Sequence, residues 1–139
     1  MLNIKDIQLS VNKNFNNNDV LEIYKLNKWS SANKPSLLIK GLKNSHTLIL
    51  AYYMDKLLGL GSAISDGHLV VYYPHLLIHP KYQGQGIGKL IMTKFQEIYG
   101  GFHQQMLTAD ANAVEFYKNC GFERAGQTEP MWIYKGEEH

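Results

Sequence analysis

The chain has 139 residues, with 14 Lys and Arg against 12 Asp and Glu, a net charge of +2, and 45% apolar residues. That length suits a single domain over residues 1–139 with a core of its own, and the apolar content excludes a disordered chain. Charges this balanced argue against a nucleic-acid partner, no apolar run reaches membrane-spanning length, and the single cysteine, Cys120, excludes an internal disulfide or a multi-cysteine metal site.

The N-terminus carries Lys5 and Asp6 in place of an apolar signal core, so the expected location is the cytoplasm. Residues 4–11 alternate between apolar and polar and predict a first strand. An asparagine-rich loop follows. Asp19, with Glu22 three residues on, then reads as the N-cap of a helix over 19–27. Pro35 suits the first turn of a second helix, with Leu37, Leu38, Ile39 and Leu42 as its buried stripe.

Three strands are predicted next. Residues 46–54 and 57–64 form a hairpin about an Asp55-Lys56 turn, and Gly59 and Gly61 suggest a bulge or a close backbone approach. Residues 68–79 form a long apolar run interrupted by Pro74, which marks a bulge or a strand edge. Ile87, Leu90, Ile91, Phe95 and Ile98 then recur at helical spacing until Gly100 and Gly101. A strand over 103–109, a helix capped by Asp110 with Gly121 in the left-handed position after it, and a last strand over 131–135 complete the chain. The order β-α-α-β-β-β-α-β-α-β predicts an α/β chain with a mixed sheet and helices on both faces.

The stretch with the most chemical content is residues 76–89. A buried strand ends at Pro80, and Gly84, Gly86 and Gly88 stand at alternate positions before a helix. Glycine lets the backbone approach a ligand closely, and the first amides of a helix have no internal partner, so this junction is suited to a phosphate. It is not a P-loop, because Leu90 follows Lys89 and the glycine gap is wrong. It is not a dinucleotide fingerprint either, since the run reads G-x-G-x-G.

Gln83-x-x-Gly86-x-Gly88 after a strand resembles the Q/R-x-x-G-x-G/A signature of the GNAT acyl-CoA N-acyltransferase superfamily. Residues 78–83, Ile-His-Pro-Lys-Tyr-Gln, resemble that family's lead-in, and residues 113–122 resemble its A-x-x-x-Y-x-x-x-G-F motif, with Tyr117, Gly121 and Phe122 in place. The three similarities are in register over more than half the chain. They imply the GNAT fold: a mixed, mostly antiparallel central sheet of roughly six to seven strands, with about four helices on its two faces.

The resemblance also implies acetyl-CoA as cofactor and an acetyl transfer to a primary amine of a small molecule or peptide, with a non-catalytic acyl-CoA-binding module or sensor as the alternative. It implies that Leu76, Leu77 and Ile78 present backbone groups to pantetheine. Gln83, Gly84, Gln85, Gly86, Ile87, Gly88 and Lys89 would hold the pyrophosphate, and Tyr117 would protonate the departing thiolate. Asp110 stands where many members carry a cofactor-binding Asn, with Asn112 nearby. The carboxylate base of many members has no counterpart on the strands, which offer His75 as a candidate base or as a structural histidine. His75 and His79, four apart on a strand, lie about 13 Å from each other, too far to share a metal ion. Cys120 lacks a partner base and reads as packing. Trp29 and Trp132 are candidates for an acceptor pocket, and a homodimer is possible through the apolar last strand.

Overall fold

The structure is a computed structural model and describes residues 2–137. Its regular elements are β1 (Ile7–Ser10), α1 (Asn17–Leu26), α2 (Pro35–Lys43), β2 (Thr47–Tyr53), β3 (Lys56–Ser65), β4 (Val70–Ile78), α3 (Ile87–Tyr99), β5 (Gln104–Met106) and α4 (Val114–Asn119). The strands form one five-stranded sheet in the order β1-β2-β3-β4-β5, antiparallel except for the parallel β4–β5 pair. The mixed, mostly antiparallel α/β architecture agrees with expectation.

The period-two alternation of the strands divides the core. Leu48 and Leu50 of β2, with Leu57, Leu60 and Leu77, pack on Val20, Ile23 and Tyr24 of α1 and Leu38 and Leu42 of α2. Ile49 and Ala51, with Leu58, Ala63 and Tyr73, pack on Ile87, Ile91, Phe95 and Tyr99 of α3. The four consecutive residues 48–51 are all 0% exposed, so β2 is covered on both faces. Each such Leu or Ile contributes about 1.5–3 kcal/mol on burial. Helix α3 sits close to the sheet because Gly61 has no side chain: a Cβ there would stand 2.8 Å from both Ile91 Cγ2 and Phe95 Cε2.

Several sequence expectations are corrected. Among the described residues the sheet has five strands, not six or seven, because residues 131–135 form no strand. A strand exists only against a partner, and this segment is instead tied by a hydrogen bond between Tyr134 Oη and Ser30 Oγ (3.2 Å) and one from Ser30 Oγ to the Glu137 carbonyl (2.9 Å). Residues 4–6 form a 3₁₀ turn, so β1 starts later. The N-cap of α1 is Asn16, whose Oδ1 accepts from the amides of Asn18 (2.9 Å) and Asp19 (3.2 Å). Asp19 lies inside the first turn, where its charge suits the helix dipole. Leu37 is exposed rather than part of the buried stripe of α2.

The hairpin turn is Met54-Asp55, one residue earlier than expected, because Tyr53 pairs with Lys56. β5 is confined to three residues. Asp110 makes no side-chain cap; a 3₁₀ turn, Ala111–Ala113, intervenes before α4. The two bulges fall where glycine and proline suggested them. One is beside Gly59, between the Ala51–Gly59 and Tyr52–Leu57 pairs. The other is at Pro74, since Ser62 faces His75 and Ile64 faces Tyr72.

Candidate active site

β4 pairs with β5 only over residues 70–72 and then runs on to Ile78, held by β3 on one side but with no strand on its β5 side beyond Tyr72 among the described residues. The His79 amide donates to the Leu58 carbonyl of β3 (2.7 Å). By alternation Leu77 also faces β3, while the N–H and C=O of Leu76 and Ile78 turn to the open side. The Ile78 carbonyl is already taken by Asn27 Nδ2 (3.0 Å) and Gln83 Nε2 (3.1 Å). That leaves the Ile78 amide and both backbone groups of Leu76 facing the gap.

After β4 the chain turns through Pro80–Tyr82 and enters the glycine run. Gly84 (φ 77°) and Gly86 (φ 94°) adopt left-handed conformations that L side chains rarely reach. Gly86 is the N-cap of α3, with no side-chain cap and no acidic residue in the first turn. The first helical bond runs from the Leu90 amide to the Gly86 carbonyl (3.1 Å), so the amides of Ile87, Gly88 and Lys89 have no intrahelical partner. Gln85 Oε1 is buried without a hydrogen-bond partner among the described residues. A left-handed nest opening on uncapped amides fits a diphosphate. The Gln83 side chain braces the loop. Its side-chain nitrogen bonds Asn27 Oδ1 (3.1 Å) and the Ile78 carbonyl, tying the loop to the end of α1.

Helix α4 reaches this loop through Phe116. A Cβ at Gly88 would stand 3.1 Å from Phe116 Cζ, so the bare glycine lets α4 close on the first turn of α3. Phe116 meets Tyr117 edge-on (5.0 Å between ring centres), and Tyr117 meets Phe122 (6.0 Å). The Phe122 amide bonds the Tyr117 carbonyl (3.0 Å) across Gly121 at φ 98°. Burial first, then the nearby Cys120 and Asp110, push the Tyr117 phenol up to about 12. Asp110 is thus within electrostatic reach of Tyr117, while Asn112 lies in the exposed 3₁₀ turn. Burial also raises the Cys120 thiol.

His75 lies across the sheet from Tyr117. Its Nδ1 is 2.7 Å from Tyr24 Oη, and its ring meets the edges of Tyr24 (5.4 Å) and Trp29 (5.0 Å). Tyr24 is wholly buried, which holds its phenol well above the ordinary range. Beside His75 a cleft of about 290 Å³ opens between α2 and the β3–β4 ladder. Ser31, Ser62, Lys34 and Leu37 line it, and of these only Leu37 stood out in the sequence, as a core position of α2. Trp132 is outside the cleft, 72% exposed and stacked on Tyr134 at 4.2 Å.

The profile of the acetyltransferase (GNAT) domain family matches residues 13–131. The uncharacterized N-acetyltransferase ycf52 of Gracilaria tenuistipitata var. liui is 32% identical over 126 residues, covering 86% of this chain and 68% of that one. The histone acetyltransferase TAP1 of Glycine max is 36% identical over 104 residues, covering 63% of this chain and 44% of the relative. A GNAT-family acetyltransferase from Streptococcus pneumoniae TIGR4 superposes with a TM-score of 0.80 at 28% identity, covering 93% of this chain and 98% of that one. A putative acetyltransferase from Deinococcus radiodurans R1 shares the fold, with a TM-score of 0.83 at 23% identity over 97% of this chain and 92% of that one.

Proposed function

The chain belongs to the GNAT acetyltransferase family and is an acyltransferase, and from that premise we propose that it moves an acetyl group from acetyl-CoA directly to the primary amine of a small molecule or peptide. The observation that carries this reading is the unpaired edge of β4 running into the uncapped start of α3. Backbone groups there would hold the two halves of the cofactor. The Leu76 backbone and the Ile78 amide would meet pantetheine, and the amides of residues 83–89 would meet the pyrophosphate. Acetyl-CoA supplies the acetyl group, activated as a thioester.

The residues of the chain manage protons. An amine titrating near 10 arrives mostly as ammonium and must lose a proton before it attacks. His75 stands at the β4 bulge to take it, its ring oriented by the 2.7 Å contact between Nδ1 and Tyr24 Oη. Tyr117, a phenol throughout the neutral range, holds a proton for the leaving sulfur. The nitrogen–carbon bond forms and the carbon–sulfur bond breaks. Of the two protons the ammonium loses, one leaves through His75 and one restores the Tyr117 phenol. His75 and Tyr117 lie on opposite faces of the sheet, and the gap beside β4 connects the faces.

The test is steady-state acetyl transfer to a panel of amines and peptides, with wild type and Tyr117→Phe. The variant keeps the ring, so acetyl-CoA affinity should hold while kcat falls on the order of 10²- to 10⁴-fold. A lowered melting point with kcat unchanged refutes the role of Tyr117. Acetyl-CoA binding without turnover of any acceptor by the wild type sinks transfer and leaves the non-catalytic module.

A further inference from the structure

We propose that the acceptor is a compact monoamine with an apolar body and a single hydrogen-bonding oxygen, seated in the cleft between α2 and the β3–β4 ladder. This rests on the acetyltransferase reading for its reaction, but its ligand chemistry is argued from the cleft alone.

Size and lining define the body. At about 290 Å³ the cleft lies at the small end of ligand sites. Leu37, Leu42, Ile64 and Pro74 supply apolar wall. Leu37 and Ile64 are 66% and 55% exposed, two large aliphatic side chains left in water at one opening. Leu37 falls on the stripe of α2 that the sequence assigns to the core, and its contact with the cleft gives that position a use.

Two hydroxyls define the polar group. Ser62 is 1% exposed, lines the cleft, and its Oγ has no hydrogen-bond partner among the described residues. Ser31 Oγ, also in the lining, is likewise buried and unpartnered. A buried hydroxyl is costly to leave unpaired, and a ligand oxygen accepting from it removes the cost.

Charge excludes a polycation. Among the described residues no Asp or Glu lines the cleft, and Lys34 is its one lysine or arginine. A second ammonium on the acceptor would find no counter-charge and would face Lys34, whereas an oxygen is drawn to it. The amine end is placed by His75 and Pro74, which bring the cleft to the β4 bulge, where the strand parts from β5.

The test is calorimetric titration of the protein saturated with coenzyme A, which carries no acetyl group, so that binding is read without turnover. The probes are leucinamide as the compact monoamine, against spermidine, kanamycin and a lysine-rich peptide. Leucinamide should bind at least about tenfold more tightly than each of the others. Ser62→Ala should weaken leucinamide about five- to tenfold with the melting point unchanged or raised, since the hydroxyl lost is an unpaired one. Lys34→Glu should improve spermidine relative to leucinamide by about tenfold. It should keep the fold, because Lys34 precedes the first turn of α2, where the dipole favours negative charge. Equal or tighter binding of any polycation to the wild type, no saturable binding of leucinamide, or no effect of Ser62→Ala overturns the proposal. Leucinamide binding with these variant effects, but no acetyl transfer to it, sustains the cleft's ligand class and sinks the transferase reading.

Discussion

Gly86 and Gly88 stand two residues apart and are glycine for different reasons. At Gly86 the obstacle to a side chain is conformation: φ is 94°, and a Cβ would meet Ile4 Cδ1 at an ordinary 3.7 Å. The left-handed backbone costs an L residue about 1–2 kcal/mol. Gly88 is helical, and the obstacle there is the Phe116 ring. We expect Gly86→Val to weaken acetyl-CoA binding at least about tenfold in a protein that still folds, because the side chain crowds the amides at the helix start. Calorimetry giving the wild-type affinity would remove the glycine loop from the cofactor site. Tyr117 makes the second prediction at this scale. Its folded pKa, about 12, lies above the ordinary 10.0. The stability it contributes is complete below about pH 10 and is lost as pH rises through about 12. Melting points recorded across that window should fall further for wild type than for Tyr117→Phe. Parallel curves would show that the phenol is not held by burial.

The β3–β4 turn shows how one residue sets an element that the site depends on. Asp66 Oδ1 accepts from the amides of His68 (2.9 Å), Leu69 (2.8 Å) and Val70 (3.2 Å). Those bonds hold its carboxyl down at about 2 from 3.8, although it is fully exposed. A depressed folded pKa gives stability that is present above the ordinary value and lost as pH falls through about 2. Wild type should therefore lose melting temperature between about pH 4 and pH 2. Asp66→Asn, which keeps an acceptor oxygen without the charge, should lack that component; the same acid loss in both proteins would rule it out. β2, β3, β4 and α3 were legible in the sequence because period two and period 3.6 are local. The cap of α1 was misplaced because every residue of the Asn16-to-Asp19 run suits a cap and only the fold selects one. His75 was visible as a candidate, but its partner Tyr24 is 51 residues away and reads as one more apolar-stripe residue of α1. Ser62 carries no signal at all, since a serine inside a strand reveals nothing until its neighbours leave it unpaired. The last strand failed for the opposite reason: residues 131–134 have strand character, but pairing is decided by what lies beside them.

The whole molecule leaves its least satisfied surface at that same segment. Met131, Trp132 and Ile133 are 92%, 72% and 94% exposed, an apolar run held out from the sheet. Its C-terminal end is fastened: Ser30 Oγ accepts from the Glu137 amide (3.2 Å), and Lys34 Nζ bonds the Lys135 carbonyl (3.4 Å). β5, at the edge of the sheet, spans only three residues and has β4 on one side alone. An apolar extended segment and an open sheet edge on one chain are the two halves of a self-complementary contact. We therefore expect a homodimer in which these surfaces are covered, burying on the order of 800 Å² per copy. Met131→Asp with Ile133→Asp puts two charges into that contact while touching little of the monomer, because both side chains stand in water. Sedimentation velocity should show a dimer for wild type and a monomer for the double variant, with melting of the monomer unit unchanged when both proteins are compared below the dissociation concentration. A wild type that stays monomeric at high concentration rejects the dimer. A double variant that stays dimeric moves the contact to another face of the molecule.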